Sequence, residues 1–366
     1  MEKQHQIFFE FLRFCIGSES EIPSSLKEAD WKELYRIAQK QCLVGILFDG
    51  IQKLPPAEVG MSKDLLLQWM MQCQMLEKAN VRLNDAAIQV SEWFRKKGFR
   101  TCILKGQGNA LLYPNGLHRT PGDIDIWVEG GDKRVISFVR SISPHEKACY
   151  HHIEFPSYKG VEVEVHYRPS FLLCFWHNRK LQKYYERVKE EQFSHRVMLG
   201  GQGEIAIPTV EFNLIFQLTH IYAHLMNEGI GLRQLLDYYY VLISDDLLLI
   251  RDRVQKELKE LGLWKFAGAI MYIMQEVFGM SASRLIVPPN EKYGRFVLNE
   301  VLEAGNFGKH DERNRFGRSK LGHNLQRVYR DIRLVRYFPA EAMSEPFFRV
   351  WHFFWRLRWD FTNRLR

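Results

Sequence analysis

Residues 119–128 read RTPGDIDIWV, with Asp123 and Asp125 one residue apart inside an otherwise apolar run. Side chains alternate across a strand, so residues i and i+2 share a face and these two carboxylates project together. Like charges at that range are unfavourable unless something cationic lies between them, and the candidates are solvent, an arginine or a metal ion. A lone D-x-D is most often an amphipathic strand with its acids in water, so the neighbouring sequence has to decide.

Upstream, FRTCILKG at 99–106 is a short strand of apolar and β-branched residues that ends in Lys105 and Gly106 and is followed by a helical turn, NALLY. A glycine at a strand-to-helix corner lets backbone N–H groups approach a phosphate, and Lys105 adds a point charge there. Downstream, DKRVISFVRSI at 132–142 reads as a crossover helix, and VEVEVHY at 161–167 is a strand of strict alternation that places Glu162, Glu164 and His166 on one face. Where the two acidic strands lie side by side, a third carboxylate joins the aspartate pair. Three converging carboxylates make a hard, oxygen-rich site suited to Mg²⁺ or Mn²⁺. Phosphate and divalent metal together point to a nucleotide.

Around this unit the pattern is helical. Residues 1–98 contain FFEFLRFCIG, ADWKELYRIAQKQCLVGILFDGIQ and a long stretch from Lys63 to Lys97 with three- and four-residue apolar spacing; after Pro208 the sequence is helical again through about residue 280. The expected fold class is α+β: a small mixed β-sheet core with helices, flanked by N-terminal and C-terminal helical regions. The boundaries expected are 1–98 for the N-terminal helices, 99–207 for the sheet domain, 208–305 for a helical domain and 306–366 for a basic, aromatic-rich helical tail.

The 366 residues with 46% hydrophobic content exclude a disordered chain. The longest apolar stretches, such as FAGAIMYIM, fall short of the roughly 18 residues that span a bilayer, and MEKQHQ does not read as a signal peptide. A cytoplasmic protein is the expectation. Six cysteines scattered without a C-x-x-C pair suggest neither a disulfide framework nor a zinc ribbon. The net charge of +8 is unevenly placed: residues 306–366 hold 14 Lys and Arg against 6 Asp and Glu, which leaves 37 against 37 in the body.

LKGQGNALLY, RTPGDIDIWV and VEVEVHYRP together resemble the uncharacterised bacterial nucleotidyltransferase family of the DNA polymerase beta-like nucleotidyltransferase superfamily. HIYAHLMNEGIGLRQLLDYYYVL at 220–242 is similar to that family's helical region. The resemblance implies a metal-dependent transfer of an NMP from an NTP to an acceptor, with release of pyrophosphate. It implies two Mg²⁺ (or Mn²⁺) ions held by Asp123, Asp125 and Glu164, with His166 one side chain beyond and either Glu164 or His166 as the proton acceptor. It also implies a triphosphate, ATP or another NTP, held at Lys105, Gly106 and Gln107, with Arg119 either on a phosphate or paired with a carboxylate. Two departures stand out: Gly106-Gln107 replaces the usual Gly-Ser, and Glu164 stands where aspartate is commoner. The alternative is a catalytically silent nucleotide- or RNA-binding protein that keeps the fold.

Two further features are legible. His220 and His224 lie one helical turn apart, without the glutamate of a zincin motif, and Arg233 and Asp237 have the i, i+4 spacing of an intrahelical ion pair. They read either as structural groups or as an acceptor-side wall closing over the nucleotide. In the tail, Arg327, Arg330, Arg333 and Arg336 flank an apolar seam of Leu325, Val328, Ile332 and Val335, and Trp351, Trp355 and Trp359 recur at helical spacing. Docking on the body is one reading; contact with an anionic membrane surface or with RNA is the other. The acceptor itself, whether small molecule, glycan, protein or RNA, is not encoded in any motif.

Overall fold

The computed structural model describes residues 3–56, 60–309, 311, 313 and 320–364. Part of the basic end, residues 310, 312, 314–319 and 365–366, therefore lies outside the described residues. The chain opens with helices α1 (Lys3–Ile16), α2 (Trp31–Lys40), α3 (Val44–Ile51) and α4 (Lys63–Lys96). Asp30 caps α2 by accepting from the Lys32 and Glu33 amides, and Ser62 caps α4 by accepting from Leu65. The sheet region follows as β1 (Thr101–Ile103), the single turn α5 (Gln107–Ala110), β2 (Ile124–Val128), α6 (Gly131–Ile142), β3 (His152–Tyr158) and β4 (Val161–His166). Then come α7 (Phe175–Ser194), a hairpin of β5 (Arg196–Leu199) and β6 (Gly203–Ala206), and helices α8 (Val210–Asn227), α9 (Leu232–Leu242), α10 (Leu247–Glu260), α11 (Trp264–Glu276), α12 (Glu291–Ala304), α13 (Lys320–Val335) and α14 (Pro339–Arg364).

The main sheet has the order β1-β2-β4-β3, with β2 and β4 parallel and both outer pairs antiparallel. The parallel pair needs a crossover, and α6 with β3 supplies it. Alternation sorts the side chains. Ile124, Ile126 and Val128 of β2, with Val163 and Val165 of β4, turn to a core shared with the α4 and α6 residues Val90, Phe94 and Val135. Asp125 and Trp127 point the other way. Trp127 packs against Phe193 at 4.6 Å and Phe212 at 5.8 Å between ring centroids, so the opposite face is covered by α7 and α8. A second apolar core joins the N-terminal helices to α8–α12, with Phe8, Trp69, Phe216 and Ile270 all inside it.

Three strands absent from the sequence reading are β3, β5 and β6. β3 carries Pro156 and a register shift between Phe155 and Tyr158, which an edge strand tolerates and a central one does not. The β5–β6 hairpin reverses through Gly200 and Gly201, both at positive φ (+58° and +69°), where side-chain-bearing residues are strained.

The basic end folds back onto the body. Trp355 and Trp359 pack against the core under the sheet, Arg140 Nη1 donates to Trp359 O at 2.9 Å, and Phe348 stacks on Phe171 at 5.1 Å. In α13 the core-facing residues are Arg330, Asp331 and Leu334, while Leu325, Val328 and Ile332 of the apolar seam are exposed. Arg333 pairs with Glu300 at 3.2 Å. Among the described residues, no helix is long and apolar enough to cross a membrane. Glu341 fixes the start of α14: its buried carboxylate accepts from the Leu173 amide at 2.5 Å and the Cys174 amide at 3.3 Å, at the N-terminus of α7. Glu341→Ala leaves those amides without an acceptor and is expected to cost about 1–3 kcal/mol, read as a lower urea midpoint. An unchanged midpoint would show that α14 is held by its aromatics alone.

Candidate functional site

The site forms where the carboxyl end of β1 and the amino end of the antiparallel β2 meet β4 of the β3–β4 hairpin. Beyond β1, the Leu104 amide donates to Asp125 O at 2.9 Å, which brings Lys105 and Gly106 level with the aspartates. Gly106 has φ +55°, so glycine is required there, and a Cβ on it would stand 3.6 Å from Asp123 O. Asp125 and Glu164 are register partners on the parallel strands, which delivers the third carboxylate to the pair. Donor oxygens of Asp123, Asp125 and Glu164 lie within 4.8 Å of one another. Glu162, on the same face of β4, is exposed at its outer end.

The group nearest the aspartate pair is a lysine. Lys105 Nζ lies 2.9 Å from Asp125 Oδ1, and His166 Nε2 lies 3.0 Å from the same oxygen and 3.4 Å from Glu164 Oε2. Burial works against the charge on Asp125, which is 3% exposed, but Lys105 and His166 outweigh it and hold the carboxyl well below the usual range. Burial likewise opposes the His166 charge, and Asp125 and Glu164 overcome it and raise its pKa to about 9. Asp123 moves the other way: the neighbouring Asp125 charge, and then burial, raise its pKa. Asp123 and Asp125 therefore keep a mutual repulsion that a cation bound between them would relieve. The all-oxygen donor set fits Mg²⁺ or Mn²⁺, and Asp123, Asp125 and Glu164 are the residues that would hold it.

Of the other anticipated residues, Arg119, Arg233 and Asp237 line a small pocket with Lys105, Gly106, Asp123 and Asp125, whereas Gln107 turns to α4. Gln107 donates its side-chain amide to Asn84 of α4, and Arg119 forms a buried bidentate pair with Asp237, with both contacts at 2.7 Å. Of the two roles left open for Arg119, the structure places it on a carboxylate. Arg233 Nη1 donates to Thr120 O at 3.1 Å, and Tyr113 Oη donates to Asp237 Oδ1 at 2.6 Å, so the Arg233 and Asp237 side chains hold the loop before β2. His220 and His224 do face the centre. His220 Nε2 is 2.8 Å from Lys105 Nζ and 3.1 Å from His224 Nε2, and burial, with Lys105 next, keeps His220 neutral by lowering its pKa well below the usual value.

A cavity of about 540 Å³ opens over the carboxylates, walled by α8 residues including His224 and Asn227 and by Arg327, Arg349 and His352 of the basic end. The tail thus contributes wall residues that no motif announces. His151 and His152, at the start of β3, also line it; burial lowers both pKa values, that of His152 to about 4. Their only trace in the sequence is the doublet itself, next to a strand that Pro156 disguises.

A small mixed sheet that offers a glycine turn from one strand and clustered carboxylates from the next two defines a nucleotidyltransferase-like class of protein. The chain belongs to the family described as uncharacterised nucleotidyltransferase, which it matches over residues 27–279. It is also similar to a solved antigenic nucleotidyltransferase-like protein from Paracoccidioides brasiliensis. That likeness has 15% identity, covers 50% of this chain and 92% of the other and has a TM-score of 0.28, too loose to bear on fold or function. No curated protein matches the sequence.

Proposed function

We propose that the protein transfers an NMP from an NTP to an acceptor, with release of pyrophosphate, using a divalent ion held by Asp123, Asp125 and Glu164. The observation that carries this reading is the pairing of Asp125 with Glu164 on adjacent parallel strands, beside Asp123 and facing the Gly106 turn. An ion bound there supplies charge neutralisation for the triphosphate and the leaving pyrophosphate. The protein's own part is positioning: the Gly106 corner offers backbone amides at close approach, Lys105 offers a positive charge, and the α8 histidines wall the acceptor side. His166, already tied to Asp125 and Glu164, orients the carboxylates.

The test is incubation with each α-labelled NTP, Mg²⁺ and candidate acceptors drawn from a cell lysate, with Asp125→Asn run in parallel. Label that depends on Asp125 supports the reading. ATP binding without any labelled product would instead support a catalytically silent nucleotide-binding protein, which the 2.9 Å contact of Lys105 with Asp125 favours, since that contact neutralises Asp125 without an ion. Lys105→Ala is expected to weaken Mg·ATP binding about tenfold in calorimetry, with adenosine unaffected, because one charge-assisted contact to phosphate is lost. Equal loss with adenosine would place the effect in the fold.

A further inference from the structure

Beside the oxygen-rich centre lies a second cluster of different chemistry. His152, the first residue of β3, is the register partner of His166, the last residue of β4, and Glu164 stands two residues before His166 on the same face. Donor atoms of His152, Glu164 and His166 lie within 4.8 Å of one another. Both imidazoles approach one oxygen, with His152 Nδ1 and His166 Nε2 each 3.4 Å from Glu164 Oε2. A charge-assisted hydrogen bond would be shorter, about 2.7–2.9 Å. Two donors bound tetrahedrally to one ion at about 2.1 Å stand roughly 3.4 Å apart, which is the separation seen here.

From this geometry we infer that the protein binds a zinc-type divalent ion at His152, Glu164 and His166, with Glu164 shared between it and the Asp123–Asp125 position. Imidazole donors suit Zn²⁺ and Co²⁺ and suit Mg²⁺ poorly, so the two positions differ in the metal they select. The surroundings hold the rings in place. His151 Nε2 lies 3.0 Å from His152 Nδ1 and brings a third imidazole to the cluster, while Phe171 packs on the His151 ring at 4.8 Å. His151 Nδ1 in turn meets Cys149 Sγ at 3.6 Å, and Asp125 Oδ1 keeps His166 turned toward the carboxylates. An ion there would take His152 Nδ1 from His151 and His166 Nε2 from Asp125, which leaves His166 Nδ1, 3.4 Å from Arg168 O, as the outer contact that orients the ring. An ion there would make an acceptor hydroxyl bound to it more acidic. The inference deepens the nucleotidyl-transfer reading, and rests on it only for the use made of the ion.

The experiment is metal binding by the full chain after treatment with chelator. In excess Mg²⁺, the protein should retain one equivalent of Zn²⁺, and added Co²⁺ should give the visible bands of a tetrahedral site. His152→Ala, at the partly exposed strand edge, should weaken Zn²⁺ binding by about 100-fold or more, since loss of even an outer contact costs 10–100-fold. Asp123→Asn should bind Zn²⁺ as the wild type does. Failure of the wild type to retain Zn²⁺ against Mg²⁺, or unchanged binding by both His152→Ala and His166→Ala, would overturn the site. Retained Zn²⁺ without nucleotidyl transfer would support the site and remove only the catalytic reading.

Discussion

Asp125→Asn is expected to lower nucleotidyl transfer roughly a thousandfold or more, because a carboxylate that helps neutralise charge in phosphoryl chemistry is worth several kcal/mol and each 1.36 kcal/mol is tenfold in rate. Asp123→Asn should lose transfer comparably, yet the two variants should differ in stability. Asp125 accepts from Lys105 and His166, so its replacement strands two buried cations and should cost about 1–3 kcal/mol in chelator. Asp123 has its pKa raised by Asp125 and burial. An acid whose folded-state pKa lies above its unfolded value binds more protons when folded, so the protein loses stability as pH rises between the two values, and the cost is complete above the higher one. In chelator near neutral pH, Asp123→Asn should therefore melt higher than wild type, and Mg²⁺ should close the gap by stabilising only the wild type. Thermal melts with and without Mg²⁺ read both signs. Mg²⁺-dependent transfer surviving in either variant would remove the carboxylates from the chemistry.

Strand alternation made the centre legible. D-x-D and E-x-H each fix a face by period alone, and the only unknown was whether their strands were neighbours; β2 and β4 are. Side-chain direction was not readable in the same way. Lys105 stands at the phosphate-facing corner in sequence, but its four-carbon stem lets the ammonium reach Asp125 and His220. The i, i+4 spacing of Arg233 and Asp237 named a local pair, whereas tertiary packing brought Arg119 from 118 positions away to take Asp237 bidentately. His151 and His152 escaped because their strand carries Pro156 and a register shift. In the tail, helical spacing of Trp351, Trp355 and Trp359 gave the helix but not its resting place, which depends on contacts with Arg140 and Tyr150 some 200 residues earlier.

That long-range pair supports the second large expectation. Arg119 is 3% exposed and Asp237 5%, and the two are joined by contacts of 2.7 Å, with Tyr113 Oη on Asp237 Oδ1. Burial opposes the Asp237 charge, and Arg119 outweighs it and holds the carboxyl below its usual pKa. This contribution is present above the unfolded-state pKa and is lost as pH falls through the folded-state value. Asp237→Ala leaves a guanidinium buried without its carboxylate, which costs about 3–5 kcal/mol, a large part of an ordinary domain's stability. The same loop is held from other sides, with Asn80 Nδ2 donating to Arg119 O at 2.8 Å and His118 bonded to Asp49 at 2.6 Å, and it leads directly into Asp123. Transfer should therefore fall along with stability, through displacement of Asp123 rather than loss of a group that touches substrate. Replacing both partners by apolar residues, Arg119→Met with Asp237→Leu, should recover much of the stability, since a buried pair exchanged for well-packed apolar side chains is often neutral. Urea denaturation of the single and double variants measures the coupling. If Asp237→Ala unfolds at the wild-type midpoint, the pair is not what holds the loop to α9.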